Sequence, residues 1–141
     1  MGFNKALFTD VVQTPTGTIA TTANAVISPT AGGGFQILDN ISAHVFFKAT
    51  FGATTTVDGN IKIYGIFSKD NTTFNTFNAN ISPLLATIVI KTGVGTTTAL
   101  DLNATLDASK LTAEYMKLVF VNDATGQPLT ISDFSLLLRK I

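Results

Sequence analysis

The strongest constraint on the fold of this chain is a repeated alternation of apolar and polar side chains with a period of two. In the segment "AHVFFKATF", Val45, Phe47 and Phe51 fall on one face, and His44 and Lys48 fall on the other. The segments "NIKIYGIF", "ATIVIK", "EYMKLVFV" and "ISDFSLLLRK" alternate in the same way. Such runs, rich in β-branched and aromatic residues, are typical of half-buried β-strands. The residues predicted to be buried are Val45, Phe47, Ile61, Ile63, Ile88, Ile90, Leu118, Phe120, Phe134 and Leu136.

Turn-forming segments separate these runs: "TPTG", "SPTAGGG", "VDGN", "SKDN", "KTGVG" and "NDATGQP". Their Gly, Asn, Asp and Pro residues supply positive φ angles or cap the local backbone. Strand signals about every ten to fifteen residues, without a long helical pattern, predict an antiparallel sandwich or barrel. One exception is a short helical or 3₁₀ turn that Asp107 would cap. We therefore predict an all-β fold, a jelly-roll-like antiparallel β-sandwich of about eight or nine strands.

Residues 1–34 differ from the rest of the chain, and we interpret them as an N-terminal arm or edge strand before a β-sandwich domain of residues 35–141. The segment "TIATTANAVISPTAGGG" is small and polar, and its weak alternation specifies a strand register poorly. Two interpretations stay open. The segment is an edge strand of the same sandwich, or it is an arm that pairs with a neighbouring subunit by strand addition.

Charge restricts the classes of partner. Charged residues make up 13% of the chain, compared with about 25% in typical globular proteins, and nine basic residues balance nine acidic ones. A neutral, sparsely charged surface favours association, so we expect a homo-oligomer. Nucleic-acid binding is not expected, because phosphate contacts need a concentrated excess of Lys and Arg. No membrane anchor is expected either, because no segment reaches the roughly 18–20 apolar residues of a membrane span.

No residue is predicted to be catalytic, to bind a cofactor or to hold a metal ion. His44 is the only histidine and there is no cysteine, so a transition-metal site lacks ligands and a hydrolase triad would depend on His44 alone. We expect this mid-strand histidine at the surface or at an interface. Asp58, Asp70 and Asp123 lie in three different predicted turns, whereas calcium loops need several carboxylates at regular spacing. A carboxylate pair assembled by folding, as glycosidases use, stays open, although no pair stands out.

The segment "GIFSKDNTTF" carries a resemblance to known proteins. A strand that ends in Gly-x-Phe-Ser, followed by Asp70 and by Phe74 four residues later, is similar to the "S-x-D-G-x-x-F/W" hairpin of discoidin-like modules and of many phage virion proteins. Asn71 stands where Gly is usual, and Asn tolerates the left-handed conformation. We interpret Ser68 to Asn71 as a turn, after which Phe74 and Phe77 return to the sandwich. The closing "AEYMKLVFVNDATGQPLTISDFSLLL" resembles the last two strands of the same group.

Two functional hypotheses follow. The resemblance implies a non-enzymatic structural protein of a bacteriophage virion, made in the host cytoplasm. It would be a capsid decoration (cement) protein or another head or tail component, and would contact itself and other virion proteins such as the major capsid protein. The alternative is a carbohydrate- or receptor-binding module of a tail fibre. Sugar binding usually needs exposed aromatic rings, and the chain has no Trp and only two tyrosines, Tyr64 and Tyr115, which disfavours this alternative. An enzyme is the least favoured class.

Overall fold

A computed structural model describes residues 5–6, 19–29, 32–37, 40–94 and 99–140. The described part of the chain contains nine β-strands and one 3₁₀ turn, Ala108–Lys110. The strands are β1 Lys5–Ala6, β2 Asn24–Ile27, β3 Phe35–Gln36, β4 Asn40–Phe51, β5 Gly59–Ser68, β6 Leu84–Ile90, β7 Leu100–Leu106, β8 Tyr115–Asp123 and β9 Leu129–Lys140. No helix among the described residues has the length and apolar character of a membrane span. The predicted all-β class is confirmed.

The strands form two antiparallel sheets. One sheet has the order β1-β9-β4-β7, and the other has the order β2-β8-β5-β6, with β3 also paired to β8. The chain crosses between the sheets from β4 to β5 and from β6 to β7, and again from β7 to β8 and from β8 to β9. This is the strand order of a jelly roll in which β2 and β3 share one position. The predicted jelly-roll-like sandwich is confirmed.

The core lies between the two sheets and is built from the predicted apolar positions. Nine of the ten residues predicted to be buried are buried, and the tenth, Ile88, is partly buried and packs against the same core. Ile88 lies on β6, an edge strand of its sheet, where a neighbouring strand covers one side only. At the centre, the Phe120 ring packs edge-on against Phe47 and Phe134, with centroids 5.1 and 5.9 Å away.

The sequence did not reveal a second apolar cluster, on the outer face of the five-stranded sheet. Alternation places Tyr64 and Ile66 opposite the core, yet both are buried, together with Val119. The segment of residues 69–83 supplies their cover, since Phe74 and Phe77 pack on this cluster. The Phe77 ring meets the Tyr64 ring edge-on at 5.1 Å. The expectation that both phenylalanines return to the sandwich therefore needs a correction, because they pack on its outside.

The described part of the N-terminal segment pairs with its own sandwich. Strand β2 runs antiparallel to β8, and Ile19 forms an isolated bridge with Leu129. The buried side chain of Asn122 holds this crossing, because its Nδ2 donates to the carbonyls of Ile19 at 2.9 Å and Gln127 at 2.7 Å. Residues 24–27 thus form an edge strand. Strand β1 also pairs within the chain, with β9. Contacts of the segment of residues 1–34 with a neighbouring subunit stay a prediction.

The 3₁₀ turn forms where the sequence predicted it. Asp107 is its N-cap, and its carboxylate accepts a hydrogen bond from the Ser109 backbone N–H at 3.2 Å. This satisfies a backbone donor that the short turn leaves without an internal partner.

Removal of the central ring tests the core. We expect Phe120→Ala to lower the free energy of unfolding by about 3–5 kcal/mol, because the substitution leaves a cavity between the two sheets. The matched control is Val89→Ala, a truncation at a side chain that is 58% exposed, and it should change stability by less than about 0.5 kcal/mol. Urea unfolding followed by circular dichroism measures both values. Equal losses in the two variants would contradict this core.

Candidate functional site

The predicted turn at Ser68 to Asn71 is a closed hydrogen-bonded unit. The Asp70 carboxylate accepts from the backbone N–H groups of Thr72 and Thr73, both at 2.9 Å, and from the Ser68 hydroxyl at 2.8 Å. These bonds lower the pKa of Asp70 to about 2, and the bond from the Thr73 N–H has the largest effect on that pKa. Asn71 adopts a left-handed φ of 60°, and its Oδ1 accepts from the Gly34 backbone N–H at 2.7 Å. The segment is a turn, as predicted.

The other two aspartates that were predicted in turns also have structural partners, and Asp123 is the last residue of β8. Asp58 accepts from the Thr92 backbone N–H at 2.8 Å, and this bond is the main reason that the pKa of Asp58 is lowered. Asp123 forms an ion pair with Lys62 at 3.0 Å and raises the pKa of that lysine, chiefly through the hydrogen bond between them. Within the described ranges, no group of three or more His, Cys, Asp or Glu side chains is placed to hold a metal ion.

Two adjoining grooves of about 340 and 350 Å³ flank Phe67 and Asn75 beside this turn. They follow the segment of residues 69–83, and the first is lined by Ser68 and Asp70. Both of these side chains are already engaged with each other and with the turn backbone. The other polar residues that line the first groove are Lys69, Thr73 and Asn75, and its one aromatic lining residue, Phe67, is half-buried.

The outer face of the four-stranded sheet has a different character. Strand β4 lies between β7 and β9, and His44, Phe46 and Lys48 project outward from it. Their register partners are Thr105, Asn103 and Asp101 on β7, and Leu137, Ser135 and Ser132 on β9. We call this surface, together with Asp133, the Phe46 face. It carries hydroxyl, amide, imidazole, carboxylate and ammonium groups around one aromatic ring.

Phe46 is the ring at the centre of this face. Phe46 is 42% exposed. Among the described residues, every other Phe or Tyr is buried or half-buried. The ring of His44 lies against that of Phe46, with centroids 4.8 Å apart and planes tilted by 32°. Tyr64 is buried and Tyr115 is half-buried, so the exposed ring is neither of the two tyrosines that the sequence analysis considered. The missed signal was a phenylalanine on the polar side of an alternating strand.

His44 lies on the surface, as expected, and both of its ring nitrogens have partners. Its Nε2 is 3.1 Å from Oδ1 of Asn103, and its Nδ1 is 2.9 Å from Oγ1 of Thr105. These contacts link β4 to β7, and they hold the side chains of His44, Asn103 and Thr105 in place on this face.

A β-bulge adds Asp133 to the Phe46 face. Phe46 pairs with Ser135 and Lys48 pairs with Ser132, so β9 has one more residue than β4 between these pairs. Asp133 has a left-handed φ of 49° and its side chain projects outward, where it lies 3.7 Å from the Lys48 ammonium. Bulges commonly redirect a side chain in this way next to functional sites. A depression of about 250 Å³ opens here, lined by Phe46, Lys48, Asp101, Asn103 and Asp133 among others.

No protein-family model and no curated protein sequence matches this chain. Among solved structures it is similar to the carbohydrate-binding module CsCBM6-3 from Clostridium stercorarium, solved in complex with cellobiose, at 15% identity and a TM-score of 0.44. That match covers 99% of this chain and 95% of the module. A family 29 carbohydrate-binding module from Piromyces equi matches at 8% identity and a TM-score of 0.44, over 96% of this chain and 80% of the module. These values describe a likeness of fold.

The Asp70 turn predicts a pH-dependent contribution to stability. Because the folded pKa of about 2 lies below the ordinary value of 3.8, the carboxylate stabilises the fold above about pH 4, and this contribution is lost as the pH falls toward 2. Asp70→Asn should therefore lower the melting temperature at neutral pH, and the difference from wild type should shrink on acidification. Lys69→Gln, in the same turn, is the control. A difference for Asp70→Asn that stays constant with pH would contradict this account.

Proposed function

We propose that this protein is a non-enzymatic β-sandwich that binds a saccharide on the Phe46 face. The observation that carries the proposal is the position of Phe46, an exposed ring in the middle of a sheet face where polar and charged side chains surround it. A sugar ring has an apolar face of C–H groups and a rim of hydroxyl groups. An aromatic platform suits the first, and convergent hydrogen-bonding groups suit the second.

The polar side chains around the Phe46 ring can form hydrogen bonds with the hydroxyl groups of a sugar. Asn103 is in register with Phe46 on the neighbouring strand, and Asp101 and Lys48 are in register with each other in the next row. Carboxylate and ammonium groups form charge-assisted hydrogen bonds, which are roughly twice as strong as neutral ones. The shallow depression exposes much of any ligand to water, so we expect weak binding, with a Kd on the order of 0.1–1 mM.

The arrangement on this face supports binding rather than catalysis. Thr105, His44 and Asn103 form a hydroxyl, imidazole and amide series that resembles a hydrolase constellation in its residue types. Acyl transfer also needs backbone N–H groups aimed at a developing oxyanion. The backbone of β4 is paired with β7 on one side and with β9 on the other, so its N–H groups are largely committed to the sheet. This disfavours acyl transfer on the Phe46 face.

The virion interpretation would place this saccharide binding on a bacteriophage particle. A structural role in a bacteriophage capsid or tail, homo-oligomer formation, contacts with a major capsid protein and location in the virion all stay predictions. A saccharide-binding face is compatible with the receptor-binding alternative that the sequence left open. The proposal depends on the Phe46 face itself, and not on the fold likeness to carbohydrate-binding modules.

Removal of the ring tests the proposed function. A glycan array should identify bound saccharides, and Phe46→Ala should weaken binding of the best one by roughly fivefold or more in an NMR titration, because a base stacked on an aromatic ring, the comparable contact, contributes about 1–3 kcal/mol. The matched control is Val89→Ala, which removes an exposed apolar side chain from the other sheet. Wild-type affinity in Phe46→Ala, or perturbed amide signals confined to the other sheet, would overturn the proposal.

A further inference from the structure

We propose that His44 is a positioning residue for ligand recognition: it holds the side-chain amide of Asn103 so that both N–H bonds of that amide are free for the ligand beside Phe46. This inference rests on the proposed function, since it concerns the same face. His44 is the only histidine of the chain, and neither catalysis nor metal binding gives it a role. Positioning of Asn103 would be that role. His44 itself need not touch the ligand.

The tautomer of His44 follows from its neighbours. The Oδ1 of Asn103 has no hydrogen to donate, so the contact of 3.1 Å requires that His44 Nε2 carries the proton. In the neutral ring, Nδ1 then has only a lone pair. The contact of 2.9 Å between Nδ1 and Oγ1 of Thr105 therefore requires that the threonine hydroxyl donates. With the amide oxygen toward His44, one tautomer of the neutral ring satisfies all three side chains.

The same contact of Oδ1 with His44 determines which end of the Asn103 amide faces the ligand. Along β4, His44 lies two residues to one side of Phe46, and Lys48 lies two residues to the other side. Asn103 is the register partner of Phe46 on β7, so an Oδ1 directed toward His44 turns Nδ2 the other way, toward the row of Lys48 and Asp101. That row lines the depression of about 250 Å³ together with Asn103. The amide therefore presents donors, not an acceptor, to the depression.

The fixed donors have a consequence for specificity. Asn103 offers two N–H donors. Asp101 lies two residues before it on the same strand and offers an acceptor when it is ionised. Two adjacent hydroxyl groups on a sugar match this pair, because one can accept from Asn103 while the other donates to Asp101. We infer a neutral saccharide with an adjacent hydroxyl pair as the ligand class. A carboxylated sugar would place its charge beside Asp101 and Asp133.

Four variants separate positioning from simple contact. His44→Phe keeps an aromatic ring against Phe46 but removes both hydrogen bonds. His44→Gln keeps a donor for Asn103 and an acceptor for Thr105. Asn103→Ala removes the amide, and the double variant His44→Phe/Asn103→Ala tests whether the two residues act as one unit. Binding of a neutral oligosaccharide selected on the glycan array is measured by NMR titration in each.

The expected result is a loss of affinity of roughly threefold to tenfold in Asn103→Ala, which removes one ligand-facing hydrogen-bonding group, and a measurable loss of up to the same size in His44→Phe, which leaves that amide without the group that holds it. The double variant should bind no more weakly than Asn103→Ala alone, because His44 acts only through Asn103. His44→Gln should retain the wild-type affinity within about twofold. Wild-type affinity in His44→Phe, or losses that multiply in the double variant, would overturn the positioning role.

A second measurement needs no ligand. Long-range proton–nitrogen NMR spectra of the imidazole at mildly alkaline pH distinguish the two neutral tautomers. We expect the form with the proton on Nε2, and we expect Thr105→Val to leave that proton in place while it removes the hydrogen bond to Nδ1. A proton on Nδ1 would overturn the inference even if saccharides bind. If the wild type binds no saccharide, the proposed function fails, and the ligand role of His44 fails with it.

Discussion

The register of β4 is the constraint on which the rest of this structure depends. Val45 and Phe47 face the core, and His44, Phe46 and Lys48 face outward from the same strand. Because side chains alternate along a strand, a shift of one residue would bury the polar set and expose the apolar one. Pairing with β7 and β9 on both sides prevents that shift. The core and the Phe46 face are therefore two consequences of a single strand position.

The segment of residues 69–83 gives the two outer faces of the sandwich their different roles. The Asp70 turn redirects the chain, and Phe74 and Phe77 then cover the outer side of the five-stranded sheet. Lys117 closes this cover, since its ammonium lies 4.4 Å from the centre of the Phe74 ring. Gly34 permits the close approach, because a Cβ there would lie 2.8 Å from the same ring. On this side aromatic groups stabilise the fold, whereas on the other side Phe46 stays available.

The Phe46 face combines side chains from three strands. Phe46 and Lys48 come from β4, Asn103 and Asp101 from β7, and the bulge in β9 adds Asp133. Rigid strands hold such groups more accurately than loops do. Paired backbone also leaves few N–H groups of β4 free to stabilise an oxyanion, which disfavours acyl transfer on this face. This constraint supports our preference for a binding function over acyl transfer.

The sequence by itself determined the all-β class, the two-sheet core and the turns. Alternation is a local signal, and the inward phase of the long strands is mostly apolar, so Phe47, Ile63 and Phe120 could be placed from spacing alone. Asp70 and Asp107 could also be assigned, because side-chain capping involves residues only two or three positions apart.

Only the tertiary structure decided which outward-facing residues are covered and which meet one another. Tyr64 and Phe46 both lie on the outward phase of their strands. The segment of residues 69–83 covers Tyr64, whereas Phe46 stays exposed. His44 and Asn103 are 59 residues apart, and no local pattern brings them together. Cover and cross-strand contact depend on how the chain folds back over itself, which a period of two does not encode.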